Sequence, residues 1–267
     1  MNAPATIAPP LLREDRDGIA LLTLNRPAAR NALSEGLIAA LGEEFDRIAE
    51  DRTVKVVVLS GPGPVFCAGH DLKEMTARRR DPDRGRAYFT DILSRCSAMM
   101  QRIVRLPQPV IAAVDGIATA AGCQLVASCD LAVAGRDARF CTPGVNIGLF
   151  CSTPMVALSR NLSRKHAMEM LLLGEMLPAE DAARMGLVNR VVPDALAEAL
   201  RLATTIASKS TLTVRIGKKA FYEQAEMSLS EAYDHASAVM AENMLARDAE
   251  EGIGAVLEKR QPVWTGE

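Results

Sequence analysis

Two runs of small residues stand out for the main-chain groups they leave free. Phe66-Cys67-Ala68-Gly69-His70-Asp71-Leu72 follows an apolar, strand-like run, and Ala118-Thr119-Ala120-Ala121-Gly122-Cys123-Gln124 follows another. Small side chains let backbone N–H groups approach a ligand without obstruction. The second run also reads as a helix start, where the first N–H groups lack intrahelical partners and the dipole favours negative charge. Two such donors aimed at one carbonyl oxygen would stabilise charge developing there, each contributing on the order of 3 kcal/mol. Groups able to move protons are sparse nearby. Gln124 forms hydrogen bonds but cannot act as a base. Cys151-Ser152-Thr153 is a polar run with no histidine close in sequence, so Cys151 reads as a packing cysteine. Asp71 is expected to cap the helix that follows it, and Glu74 and Asp130 to be structural.

The elements that position these runs alternate in type. Asp17-Gly18 between apolar runs predicts a hairpin. Ser34 predicts the cap of a helix from Glu35 to about Asp51, with Leu37, Ile38, Leu41, Phe45 and Ile48 on one face. Val54–Leu59, Val110–Val114 and Leu131–Ala134 are continuous apolar runs of the kind that forms strands covered on both faces. Helices are expected over Ala87–Leu106, from about Ala120, and over most of the chain beyond Pro154. Repeated strand–strand–helix units argue for an α/β core. The expected layout is a disordered tail over 1–10, a core over 11–200 and a helical oligomerisation region over 201–267.

Composition narrows the function. The chain has 267 residues, 49% of them apolar, with 31 basic against 33 acidic side chains. That supports a full core and argues against a nucleic-acid partner, which would call for a basic excess. No apolar run reaches the roughly 20 residues that span a bilayer. The first ten residues lack the basic start of a signal peptide and the Arg/Ser-rich character of a transit peptide. Six cysteines without a CxxC pair read as buried thiols in a reducing compartment, so a cytoplasmic location is expected. His70, His166 and His235 are too widely spaced to suggest a metal site.

Several segments together carry a family resemblance. They are Leu24-Asn25-Arg26-Pro27 with Asn31-Ala32-Leu33, the run Phe66–Leu72, Val110–Gly116 behind Pro107 and Pro109, Cys129-Asp130-Leu131-Ala132, Glu175, Gly186-Leu187-Val188 and Val191-Val192-Pro193. Over nearly its whole length the chain resembles the crotonase, or enoyl-CoA hydratase/isomerase, superfamily. Ala120–Leu125, Thr142–Asn146 and Gly148–Pro154 are similar to the subgroup of enoyl-CoA hydratase domain-containing protein three. The resemblance implies a crotonase-like spiral of ββα units with a helical C-terminal trimerisation region, assembled as a homotrimer or a dimer of trimers. It implies an acyl-CoA substrate, with coenzyme A as part of that substrate and no prosthetic group.

By the same resemblance, the N–H groups of His70 and Ala121 form an oxyanion hole for the thioester oxygen, with the His70 ring pointing away. The groove for coenzyme A is bordered by Ala28, Ala29, Arg30, Ala68, His70, Asp71, Leu72 and Lys73. Its phosphates would meet Arg30, Lys73, or Lys218, Lys259 and Arg260 of a neighbouring subunit, and Arg78–Arg80 with Arg84 and Arg86 could form a basic rim. Trp264 and Val263 could close the site of a neighbour. Met75, Met99 and Met100 are candidates for the acyl pocket or the core. Hydratases of the family use two glutamates, which align with Gln124 and Gly144. Efficient hydration of crotonyl-CoA is therefore not expected. Thioester hydrolysis or decarboxylation with an ordered water held by Gln124 and Ser152 remains open, as does a non-catalytic coenzyme A-binding oligomer.

Overall fold

Asp17 and Gly18 both take positive φ (52° and 78°) and close an antiparallel hairpin between β1 (Leu11–Arg16) and β2 (Ile19–Leu24). The structure, a computed structural model, describes residues 8–267. Residues 1–7, most of the expected tail, lie outside that range. Pro9 and Pro10 accept hydrogen bonds from the side chain and backbone of Asn25. Helix α1 (Glu35–Glu50) begins where Ser34 accepts from Leu37 N, and it buries the five apolar residues of its expected face.

The spiral then repeats one motif. Each turn places one strand in each of two sheets before a helix leads into the next. The pairs are β3 (Val56–Ser60) with β4 (Val65–Cys67), β5 (Val110–Val114) with β6 (Ile117–Thr119), and β7 (Leu131–Gly135) with β8 (Arg139–Cys141). Helices α2 (Leu72–Ala77) and α3 (Arg86–Arg105) come after the first pair, and α4 (Ala121–Ser128) after the second. Next come α5 (Ser152–Asn161), α6 (Arg164–Leu173), β9 (Leu177–Pro178), α7 (Ala179–Met185) and β10 (Arg190–Val192). The larger sheet runs β1-β2-β3-β5-β7-β10, parallel apart from the first hairpin; the smaller runs β4-β6-β8-β9. The corners between paired strands stack. A Cβ on Gly116 would lie 2.3 Å from Pro64 O, backbone that cannot step aside, so the coil closes there only with glycine; one on Gly135 would lie 2.4 Å from Asp115 Oδ1, which would have to turn away.

Helix α8 (Ala195–Ala207) lays Ala195, Ala199 and Ala203 on the outer face of the large sheet. The expected division at residue 200 falls inside this helix. Three further helices complete the chain: α9 (Thr211–Gln224), α10 (Leu229–Met244) and α11 (Arg247–Glu258). One buried cation ties α9 to the core. Lys218 Nζ donates to Ile103 O, Gln108 O and Asp130 Oδ2 at 2.9, 3.0 and 2.7 Å, and its side chain is 6% exposed. Asp130 also accepts from Val110 N and from Tyr222 Oη. Lys218 therefore closes the end of α3 and is spoken for, which corrects its expected role as a phosphate contact. Lys218→Ala would leave the Asp130 carboxylate without its cation and the Ile103 and Gln108 carbonyls without this donor. The expected cost is roughly 3 kcal/mol, read as a lower denaturation midpoint; a loss under 1 kcal/mol would show that the pair does not anchor α9.

The chain end is held by a buried carboxylate. Asp248 accepts from Ser210 Oγ, Thr265 N and Oγ1, and Gly266 N. Burial pushes this carboxyl up, but those hydrogen bonds outweigh it and hold it below its usual value. A carboxylate held low adds stability above its unfolded-state pKa of about 3.9, and that stability is lost as pH falls through the folded value. Trp264, the only tryptophan, sits on this tail and donates Nε1–H to Ser208 O at 2.9 Å. Its emission should hold steady from neutral pH down to about pH 5 and shift to the red below about pH 4. Asp248→Ala should show the shifted spectrum at neutral pH, and an unaltered spectrum would disprove the tether.

Candidate active site

The site begins with a clamp. Asn31 is fully buried with φ 50°; its Oδ1 accepts from Arg26 N, and its Nδ2 donates to Pro62 O and Val65 O. This fixes the loop after β2 against the corner before β4. Leu33 N donates to Gly69 O at 2.8 Å, and Asp71 N donates to Leu33 O at 3.2 Å. Those two bonds flank His70 and leave its own N–H without a partner among the described residues. Ala121, the first residue of α4, likewise has an N–H that no intrahelical carbonyl can reach.

The two N–H groups are brought together by the close passage of main chain past main chain. A Cβ on Gly69 would lie 3.2 Å from Ala121 N and 2.9 Å from Ala120 Cβ. A Cβ on Gly122 would lie 2.1 Å from Cys67 O, which no side chain could survive. Thr119 Oγ1 donates to Ala68 O at 3.1 Å and holds the two runs in register. The loop bearing His70 thus passes close to the first residue of α4, Ala121, and neither residue's N–H has a backbone partner. Ala120 carries the strain of the turn, with φ 50° and ψ −120° in a region that favours glycine.

Around this pair the expected groove residues gather at one edge. Ala68 N donates to Arg30 O, joining the Ala28-Ala29-Arg30 turn to Ala68–Lys73. Ala28, Arg30, Leu72 and Lys73 are exposed there, with Ala29 half-buried. Asp71 caps α2 through Lys73 N and pairs with Arg26 at 3.1 Å. Burial pushes the Asp71 carboxyl up, but Arg26 and the cap amides outweigh it and leave it low. Glu74 accepts from Glu35 N, a structural role as expected. Arg78 and Arg79 stack on Tyr88 and Phe89, at 5.0 and 5.7 Å from the ring centroids. Met99 and Met100 are buried in the core cluster, while Met75 packs half-buried on its margin. Arg260 is paired with Glu251 and Glu258, so it is not a free phosphate cation in this chain.

At the two positions expected to handle protons stand Gln124 and Gly144, neither of which carries a carboxyl group. Gln124 is 4% exposed, and its Oε1 has no partner among the described residues. Both ring nitrogens of His70 are also buried and unpartnered, and burial pushes the imidazole down toward its neutral form. Gly144 is an occupied position in all but name. A Cβ there would lie 2.9 Å from Cys151 Sγ, 2.9 Å from Leu149 O and 3.2 Å from Cys151 N. The loop after β8 has closed over the place where a carboxylate side chain would leave the backbone. Sequence reasoning missed this closure, because it depends on how Leu149 N folds back onto Gly144 O. Ser152 is exposed, with its hydroxyl aimed at Phe150 O rather than held in the interior. Two hollows elsewhere, about 440 Å³ beside Arg102 and about 320 Å³ beside Lys218, lie away from all of these groups. Among the described residues no cluster of His, Cys, Asp or Glu is arranged to hold a metal, and no helix is long and apolar enough to cross a membrane.

The profile of the enoyl-CoA hydratase/isomerase family matches residues 14–267. The chain belongs to that family. It is 48% identical over 252 residues to rat enoyl-CoA hydratase domain-containing protein 3, mitochondrial, covering 94% of this chain and 82% of the relative. It is 36% identical over 251 residues to the 2,3-dehydroadipyl-CoA hydratase of Escherichia coli K12, covering 93% and 95%. Among solved structures, an enoyl-CoA hydratase of Mycobacterium smegmatis superimposes with a TM-score of 0.91 at 55% identity, covering 96% of this chain and 99% of that one. Human enoyl-CoA hydratase domain-containing protein 3 gives 0.91 at 46%, covering 96% and 100%. Both the crotonase fold and the subgroup resemblance are borne out. The expected cytoplasmic location is not: the rat, mouse, human and frog relatives are all named mitochondrial and point there instead.

The strained turn gives a direct test of the geometry. Ala120→Gly relieves a positive-φ alanine, a strain of about 1–3 kcal/mol, against about 0.4–1 kcal/mol of added unfolded-state freedom. The variant is expected to be more stable by about 1 kcal/mol in chemical denaturation with an unchanged slope; a loss of stability would show that the turn is relaxed as it stands.

Proposed function

We infer that this chain binds acyl-CoA thioesters, with the thioester oxygen between the N–H groups of His70 and Ala121. What supports this reading is the close passage of the two loops at Gly69, where a Cβ would lie 3.2 Å from Ala121 N, together with the His70 and Ala121 N–H groups left without a backbone partner. Family membership and the hydratase names of its relatives support the substrate class. Two preorganised amides stabilise an enolate or tetrahedral oxyanion because they are aimed before charge develops. The coenzyme A groove is the edge formed by Ala28–Arg30 and Ala68–Lys73, with Lys73 and Arg30 as its exposed cations.

The chemistry beyond that hole is limited by side chains. Hydration requires a group to take a proton from water and one to give a proton to the α carbon. Gln124 cannot do the first, and Gly144 has neither a side chain nor room for one. The reading is an acyl-CoA enzyme of the family that activates the thioester carbonyl without efficient hydration. Its location is read as mitochondrial, after its relatives. Its helical end is read as an oligomerisation face, supported by large apolar residues left exposed there, among them Leu229, Tyr233, Leu245 (81% exposed) and Leu257.

The test pairs binding with turnover. Calorimetry with saturated butyryl-CoA should show binding that Gly69→Val abolishes, and crotonyl-CoA hydration should fall far below the enzyme median of about 10 per second. Hydration at that median would overturn the limited-chemistry reading, and absence of butyryl-CoA binding would overturn the site itself.

A further inference from the structure

A strongly basic segment begins at the edge of the groove. Between Lys73 and Arg86 stand six basic and three acidic residues, on a chain whose formal net charge is −2. Two of the three acids are turned to the backbone. Glu74 accepts from Glu35 N, and Asp83 accepts from Gly85 N at 2.9 Å and from Ala87 N at 2.8 Å. Arg78 is taken up by Glu35 and the Tyr88 ring, and Arg79 by the Phe89 ring. Arg80, Arg84 and Arg86 are exposed, and their side chains have no ion pair or hydrogen bond among the described residues.

The segment is tightly built. Arg84 and Gly85 both take positive φ (60° and 86°). A Cβ on Gly85 would lie 2.9 Å from Arg78 O and 2.9 Å from Phe89 Cε2, so the chain folds back on itself there. The two Asp83 bonds tie this turn to the start of α3. A partner meeting the loop therefore finds its backbone already ordered, which lowers the cost of association.

Position narrows the kind of partner. Helix α2, six residues and about 9 Å long, runs from the His70–Asp71 turn to this loop. The arginines stand one short helix beyond Lys73, which with Arg30 is read above as supplying the groove's exposed cations. In that reading, free coenzyme A brings its phosphates to those two. The same pantetheine thioester also exists as an arm on acidic carrier proteins, whose own surface stays outside a groove and faces its rim. Resting on the acyl-CoA reading above, we propose that the loop bearing Arg80, Arg84 and Arg86 docks an acidic protein that carries an acyl thioester on such an arm. Opposite charge at a rim steers encounter and fixes orientation more than it adds affinity. A carboxylate-rich surface resting on this loop would set the root of the arm at the groove's edge.

The experiment measures binding kinetics of the full-length protein with three probes. They are butyryl-CoA, a bacterial acyl carrier protein loaded with a butyryl-phosphopantetheine arm, and the same carrier without its arm. The loaded carrier is expected to bind, with association slowing about tenfold as salt rises to about 0.3 M. The armless carrier should bind more weakly with the same salt dependence. Arg80→Glu with Arg84→Glu should weaken the loaded carrier about tenfold and leave butyryl-CoA within about twofold. The milder pair, Arg80→Gln with Arg84→Gln, should weaken it about threefold. Neither side chain has a partner to lose, so the denaturation midpoint should stay in place. Equal weakening of butyryl-CoA would show that the loop serves the coenzyme's own phosphates and would overturn the proposal. Carrier binding that salt or both paired variants leave unchanged would overturn it as well. Butyryl-CoA binding without carrier binding overturns the proposal and spares the acyl-CoA reading. No binding of either thioester overturns both.

Discussion

Everything at this site depends on two stretches of main chain crossing with nothing between them. At Gly122 the clearance to Cys67 O leaves no room for a methyl group, and at Gly69 the Ala121 amide sits within contact of where one would be. These approaches are not local luck. The same exclusion recurs at a corner, where Gly116 rides on the Pro64 backbone. The pitch of the spiral is set by backbone stacking on backbone, and the two strand-end loops carrying His70 and Ala121 inherit their spacing from it. Thr119 and Asn31 then hold in hydrogen bonds what the glycines permit in space.

The arrangement stores unfavourable conformations where it is used. Ala120 and Asn31 are both non-glycine residues at positive φ, and each such residue is disfavoured by an amount that only surrounding structure can sustain. Asn31 is held by three hydrogen bonds and Ala120 by Cys141 O together with the first turn of α4. Such over-determination holds the loops that carry His70 and Ala121 in place without a ligand, which is the preorganisation the proposed role of their N–H groups would need.

Much of this was legible in the sequence because it is written in local terms. Asp17-Gly18, Ser34 and the apolar run Val110–Val114 each specify their element within a few residues, and the structure places the hairpin, cap and strand there. The His70 and Ala121 pair was legible only through resemblance, since nothing local says that two loops fifty residues apart will touch. The short strands β9 and β10 went unread because three or fewer residues carry no periodicity of their own. Lys218 was misread as a surface cation for a related reason. A lysine in an amphipathic helix looks solvated until the end of another helix, with Ile103 O and Gln108 O, is found above it. The closed loop at Gly144 was hidden as well: a glycine in sequence says that a side chain is missing, not that its space has been taken.

That last distinction separates the two halves of the site. The donors proposed for the thioester oxygen are main chain, so they persist wherever the fold persists and are indifferent to most side-chain changes around them. Proton transfer needs side chains, and those at positions 124 and 144 can change while the coil keeps its register. At Gly144 the loop from Leu149 to Cys151 fills the space a side chain would need, so a carboxylate could not be restored there without moving that loop.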